Sequence, residues 1–166
     1  MKHGKGLFLS FFIVIGLLTG CSSIEDETKE TIAAVEETFK GKAEEANSKN
    51  EDISFYIPST MKIEEREENN VIINKDDQTF ILFVNPVEPA NSDVMYKSIE
   101  SKKKFSVDKT FTDKERFGYV KVYEIDEKLY LVSVGIGGVK MTTEAKLSEV
   151  SESAKEMMTV VSSVKY

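Results

Sequence analysis

The chain holds one cysteine, Cys21, one histidine, His3, and no tryptophan in 166 residues. Everything beyond position 21 is therefore without thiol or imidazole. A lone cysteine excludes an internal disulfide. The two shortages together exclude, from the rest of the chain, zinc held by Cys and His, haem held by His, thiol proteolysis and any Ser-His-Asp triad. Histidine is the side chain whose ordinary pKa lies closest to neutrality and the commonest general base. Its loss leaves carboxylate, Lys, Tyr, Ser and Thr chemistry, and moves the expectation from catalysis to binding, with no cofactor and no metal. Long apolar runs are scarce too: no internal stretch reaches the ~20 residues that a membrane-spanning helix needs.

The one long apolar run, Leu7 to Leu18, is broken by Ser10 and Gly16 and follows Lys2 and Lys5. A basic end, a short apolar core and small residues after it form a secretory signal. Its last four residues, Leu18-Thr19-Gly20-Cys21, resemble the bacterial lipobox. That resemblance implies a palmitate-type diacylglycerol on the Cys21 sulfur, removal of residues 1–20, and a lipid-anchored protein on the extracytoplasmic side of a cell membrane. The Lys/Glu/Asn-rich composition points to a Gram-positive cell. Two or more acyl chains hold a protein stably where one binds only marginally, at about 0.8 kcal/mol per buried methylene.

The leader holds two of the 22 basic residues and none of the 29 acidic ones, so the chain from Cys21 onward has net charge −9. An acidic protein is a poor ligand for nucleic acid, whose binding rests on basic residues neutralising phosphates. Mild repulsion from anionic lipid heads also favours standing off the membrane.

Three segments follow: a signal peptide at 1–20, an acidic tether at 21–51, and one globular domain at 52–166. In the tether, Ile32, Val35, Phe39, Ala43 and Ala46 recur at three- and four-residue spacing, the mark of an amphipathic helix. A helix packing Phe39 on the domain is the leading reading, with a loose spacer or a partner-binding helix behind it.

In the domain, Ile53 to Ile57 alternates as a strand stopped by Pro58. Met61 to Glu65 reads as an edge or half-exposed strand. Asn69-Asn70 and Asp76-Asp77 read as turns around Val71–Ile73. The run Thr79 to Val84 is apolar on both faces, which predicts cover on both sides. A helix starting at Ser92 would bury Met95 and Ile99 and end at Lys102, Lys103 and Lys104. Strands at Phe117–Ile125 and Leu129–Ile136 flank the Asp126-Glu127-Lys128 turn. A long helix from Thr143 to Val164 carries the stripe Leu147, Val150, Ala154, Met157, Val161 and Val164. The fold class expected is α+β: a mostly antiparallel sheet of about six strands with helices on both faces.

Phe55-Tyr56-Ile57-Pro58, the hairpins through Val71–Ile73 and Phe80–Val84, and the closing Val160-Val161-Ser162-Ser163-Val164-Lys165 resemble the PsbP/Mog1-like α/β/α sandwich. The resemblance spans about two thirds of the chain. It departs after Pro58, where Ser59-Thr60-Met61 replaces the usual aromatic. It implies an accessory or binding protein.

Other constellations are weaker. Gly135-Ile136-Gly137-Gly138 fails the dinucleotide fingerprint, since Lys140 stands where the third glycine belongs, and reads as a strand exit or bulge. Ser101/Lys104 and Ser162/Lys165 match a serine–lysine nucleophile spacing by chance. Asn74, Asp76 and Asp77, or Glu64, Glu65, Glu67 and Glu68, lack the glycine and distal glutamate of a calcium loop or lie on a solvated strand. Lys97, Lys102, Lys103, Lys104, Lys109, Lys114 and Arg116 outnumber Glu100, Asp108, Asp113 and Glu115 in an otherwise acidic chain. With Tyr96, Phe105, Phe111 and Phe117 among them, they form a helix end and loop whose aromatics tuck into the core. The alternative is a patch for an anionic partner, such as an envelope polymer, lipid heads or an acidic protein, or for a small ligand. The functional expectation is a lipid-anchored binding protein with a protein or cell-envelope partner; a carboxylate-based hydrolase is the weakest alternative.

Overall fold

The computed structural model describes residues 23–100 and 103–166. Residues 1–22, with the expected signal and Cys21, and Ser101 and Lys102 lie outside the described residues. Within them the fold is α+β, with one seven-stranded antiparallel sheet, a two-stranded hairpin and three α-helices.

The sheet is two meanders joined edge to edge. Strands β3 (Lys62–Arg66), β4 (Asn70–Lys75) and β5 (Gln78–Val84) form the first; β6 (Val107–Thr112), β7 (Phe117–Asp126), β8 (Leu129–Ile136) and β9 (Val139–Lys146) form the second. Pairing of β5 with β9 gives the order β3-β4-β5-β9-β8-β7-β6. The chain between β5 and β6, residues 85–106, must therefore travel from the middle of the sheet to its far edge. It does so as a strap containing the short α2 (Val94–Ser98).

Residues paired across a ladder share a face, and alternate residues on each strand change face. The row Val71–Leu82–Met141–Val134–Val120 is buried throughout. Helices α1 (Ile24–Lys40) and α3 (Val150–Ser163) run together on this face, α3 over β8 and β9 and α1 by β6. The next row on the other face, Ile72–Ile81–Thr142–Ser133–Lys121, changes character along its length. Ser133 and Lys121 are buried, whereas Ile81 is 44% exposed. The two-sided cover expected for Thr79–Val84 is absent over Ile81: apolar side chains there face solvent.

Other expectations change at the boundaries. The sheet has seven strands, not six. The closing helix starts at Val150 after a 3-10 turn at Leu147–Glu149, because Val139–Lys146 is β9. Val139, Met141, Thr143 and Ala145 alternate inward in it. Gly137-Gly138 is the two-residue turn between β8 and β9, with Gly137 at φ +53°; glycine meets that requirement without steric cost. A methyl group on Gly138 would lie 2.4 Å from the Asn85 carbonyl oxygen, so the pair also lets the strap cross close above. The expected helix from Ser92 to Lys104 shortens to α2; Ser92 Oγ accepts from the Val94 amide at 3.3 Å, the Asp93 side chain makes no capping hydrogen bond, and Met95 and Ile99 are half-buried. The Ile53–Ile57 strand shortens to β2 (Ile53–Phe55). It pairs outside the sheet with β1 (Ser48–Asn50) through a turn with Glu51 at φ +50°. Asn70 belongs to β4 rather than to a turn.

The segment 24–40 is a packed helix. Glu27, Thr31, Val35 and Phe39, spaced by four, are buried against the domain; Ala43 and Ala46 lie past its end. Ser23 caps it, accepting from the Asp26 amide, and Gly41 closes it by donating to the Glu37 and Thr38 carbonyls. Glu27 does a second job. Its Oε1 accepts from the backbone N–H of Ser151 at 2.8 Å, in the first turn of α3, whose own N-cap makes no side-chain hydrogen bond. A carboxylate there satisfies an orphan donor and meets the positive helix end. Glu27→Ala is expected to destabilise the domain by about 1–2 kcal/mol, seen as a lower urea midpoint with unchanged slope; an unchanged midpoint would remove the cap.

Candidate functional site

Two large concavities occur among the described residues. The first is an open groove of about 840 Å³ where α3 begins, lined by residues of the β4–β5 turn, the start of β8 and the end of β9. Several of its polar groups satisfy one another, while Asp76 and Asp77 on its rim are exposed. Lys75 Nζ lies 2.8 Å from Glu152 and 2.9 Å from Glu156. Partial burial works against the Lys75 charge, but hydrogen bonds and proximity to both carboxylates hold it above the ordinary lysine range. The same hydrogen bond holds Glu152 below the ordinary glutamate range. Gln78 Nε2 donates to Thr143 Oγ1, the Glu144 carbonyl and Ser153 Oγ, each at 3.1 Å. Thr143 Oγ1 donates to the Thr79 carbonyl at 2.7 Å. The Ser153 and Thr143 hydroxyls thus meet an amide and a carbonyl, and neither is paired with a base that could activate it.

The second is a cleft of about 580 Å³ at the opposite end of the helices, between Pro86–Ala90 of the strap and Val161–Tyr166. Val87 is 85% exposed and Tyr166 49%. Tyr166 Oη donates to the Glu88 carbonyl at 2.9 Å, closing one side. Ser162 Oγ is buried without a partner. Arg116 forms another wall and is held firmly. It pairs with Asp113 at 2.7 Å, donates from Nη2 to the Phe39 carbonyl at 2.8 Å, and stacks 4.5 Å from the Phe39 ring centroid. The C-terminal end of α1 thereby reaches this cleft. The cleft thus combines an exposed apolar surface with the fixed Arg116 cation, and Glu88 and Lys165 stand on its walls.

The residues singled out in the basic segment are distributed, not gathered. Arg116 and Lys97 pair with Asp113 and Asp93. Lys103 Nζ donates to the Ile125 carbonyl at 3.1 Å. Lys109 alternates with buried Val107 and Phe111, which puts it on the α1 face. Lys114 is exposed in the β6–β7 turn, Lys104 lies beside Ile24, and Lys102 is outside the described residues. The aromatics pack inward: Tyr96 on Phe117 and Tyr119, Phe105 on Tyr123, and Phe111 on Phe39.

The organising cation is one the sequence did not single out. Lys121 is 6% exposed and donates to the Tyr96 and Ile99 carbonyls at 3.1 Å, at the end of α2. Its ammonium sits 4.1 Å from the Tyr96 ring centroid and 4.8 Å from that of Phe105. It pins the strap to the sheet through the carbonyls and π faces, two ways of satisfying a buried cation. The only sequence signal was a lysine inside an apolar strand. Beside it Tyr119 is fully buried with an unpartnered hydroxyl, and burial pushes that phenol well above its ordinary pKa.

The remaining constellations do not assemble. Asn74 Nδ2 donates to Glu64 Oε2 at 2.6 Å, but no cluster of three or more potential metal ligands occurs among the described residues. Ser162 is in α3 while Lys165 has left it to bridge Ser54. No protein-family model matches this chain, and no curated protein matches it in sequence.

Proposed function

We propose that the chain is a lipid-anchored, extracytoplasmic accessory protein that binds a protein or envelope component without catalysis, built on a PsbP/Mog1-like scaffold. One observation carries the proposal: α1 begins three residues after Cys21 and is packed into the core along its length. An anchor at Cys21 would therefore hold the domain by one end. The strap–α3 cleft would then be presented at the other, about 25 Å away along a 17-residue helix. The scaffold likeness is supported by two helices on one sheet face and the strap with α2 on part of the other. The absence of thiol and imidazole after Cys21 and the internally paired groups of the large groove favour binding over hydrolysis.

The test is cross-linking in intact membranes followed by capture of the wild type and of Val87→Asp. Val87 is too exposed for the change to disturb folding. A charge at the centre of the apolar surface is expected to lower recovery of the specific partner about tenfold or more. Equal recovery by both proteins would rule out this cleft as the binding surface.

A further inference from the structure

The end of the domain where α1 starts carries a second surface, and its neighbourhood suggests an occupant. Ile24, the first residue of α1, is 44% exposed. It borders a shallow cleft of about 420 Å³ whose other walls include Thr28, Lys29, Lys104 and Phe105. Phe105 is partly buried and fixed edge-on to Tyr123 at 5.4 Å, so it forms a rigid apolar floor. Lys29 and Lys104 are exposed, and neither enters an ion pair among the described residues. Glu25 is the one acid on the cleft.

From this we infer that the Ile24–Phe105 surface rests on the phospholipid headgroup layer, with Lys29 and Lys104 directed to lipid phosphates. The inference rests on the proposed anchor at Cys21 and adds to it an orientation. Only Ser22 separates Cys21 from the Ser23 cap, and the two steps of chain span at most about 7 Å. The polar layer on each side of a bilayer is about 5–8 Å thick. An anchored chain therefore has no slack: the start of α1 must lie in or at that layer, and Glu27 and Phe39 transmit the constraint to the whole domain.

Net charge works against this contact, since the chain from Cys21 is acidic. That repulsion is spread over the molecule and screened over about 8 Å at physiological salt. The local surface offers an isoleucine, an aromatic floor and two exposed ammonium groups, a combination suited to the boundary between headgroups and acyl chains. Short-range contact outweighs diffuse repulsion because the connection fixes the distance.

The chain has no tryptophan, so one can be introduced as a sole probe. The lipidated protein carrying Ile24→Trp, and separately Val87→Trp, would be reconstituted in phosphatidylcholine vesicles containing phosphatidylglycerol, with brominated lipid as quencher. The Ile24→Trp emission is expected to shift to the blue and to be quenched several-fold more than that of Val87→Trp. Adding Lys29→Gln and Lys104→Gln should reduce the quenching in these vesicles. Equal quenching at the two positions, or an unquenched Ile24→Trp in protein that floats with the vesicles, would overturn the orientation while leaving the anchor intact. Protein that does not float would overturn the anchor, and the orientation with it.

Discussion

Phe39→Ala is expected to lower the stability of the domain by about 3–5 kcal/mol, the range for emptying a fully packed aromatic site. Phe39 is 1% exposed, lies 5.9 Å from Phe111 between ring centroids and 4.5 Å below the Arg116 guanidinium. It also fills the space above Gly118, where an added methyl group would come within 2.7 Å of its ring. The substitution would leave a cavity bounded by the Phe111 ring, the Gly118 backbone and a guanidinium without its π face. A domain of this size is typically stable by about 5–15 kcal/mol, so much of the margin would be lost. Ile81→Ala, on the uncovered sheet face, should change stability by less than about 1 kcal/mol. Chemical denaturation of the two variants separates a structural α1 from a tether: if Phe39→Ala were as mild as Ile81→Ala, α1 would not belong to the core.

The second large effect concerns attachment. Cys21→Ser removes the only thiol in the chain, and a hydroxyl cannot supply the sulfur of a thioether. Incorporation of radiolabelled fatty acid into the protein is expected to fall to background, and residues 1–20 should remain on the chain because lipoprotein-type cleavage is blocked. Attachment by two or more acyl chains is stable on the timescale of cell growth, so the wild type should stay with membranes in high salt. Unchanged labelling of the serine variant would mean that lipid is attached elsewhere or not covalently.

Much of the fold could be read from the sequence where one periodicity dominated. The β4–β5 hairpin, the long β7–β8 pair and the buried side of α3 all showed strong alternation or a clear helical stripe. The errors fell where two periodicities competed. Val139 to Lys146 alternates every second residue, but Thr143 and the following Leu147 and Val150 also fit a helical spacing, so the expected helix takes in the second half of β9, residues 143–146. Strand β6 has only Val107 and Phe111 facing inward, with Lys109 between them, too sparse a pattern to register as a strand. The apolar Ile81 and Phe83 misled in the opposite sense: an apolar residue on a strand permits cover but does not compel it. The strand's position, not its composition, decided that β5 sits beside the strap's starting point and is left partly open.

The surfaces were less accessible to sequence reasoning. The basic segment stood out by composition, yet strand register and the strap divide its lysines between separate faces. Lys121 was overlooked because its importance depends on carbonyls and rings supplied from 96–105, which only the crossing of the strap brings near. Val87 and Tyr166 carry no sequence signal at all; they matter through the shared end of the molecule where the strap and the end of α3 meet.

The central claim is that the chain is held at Cys21 by lipid, one short step from a helix built into the core. Intact-mass measurement of the protein extracted from membranes tests it most directly. The account predicts a chain beginning at Cys21 with the added mass of a diacylglyceryl group located on that residue by fragmentation. A free Cys21 thiol, or a mature chain beginning elsewhere, would contradict it.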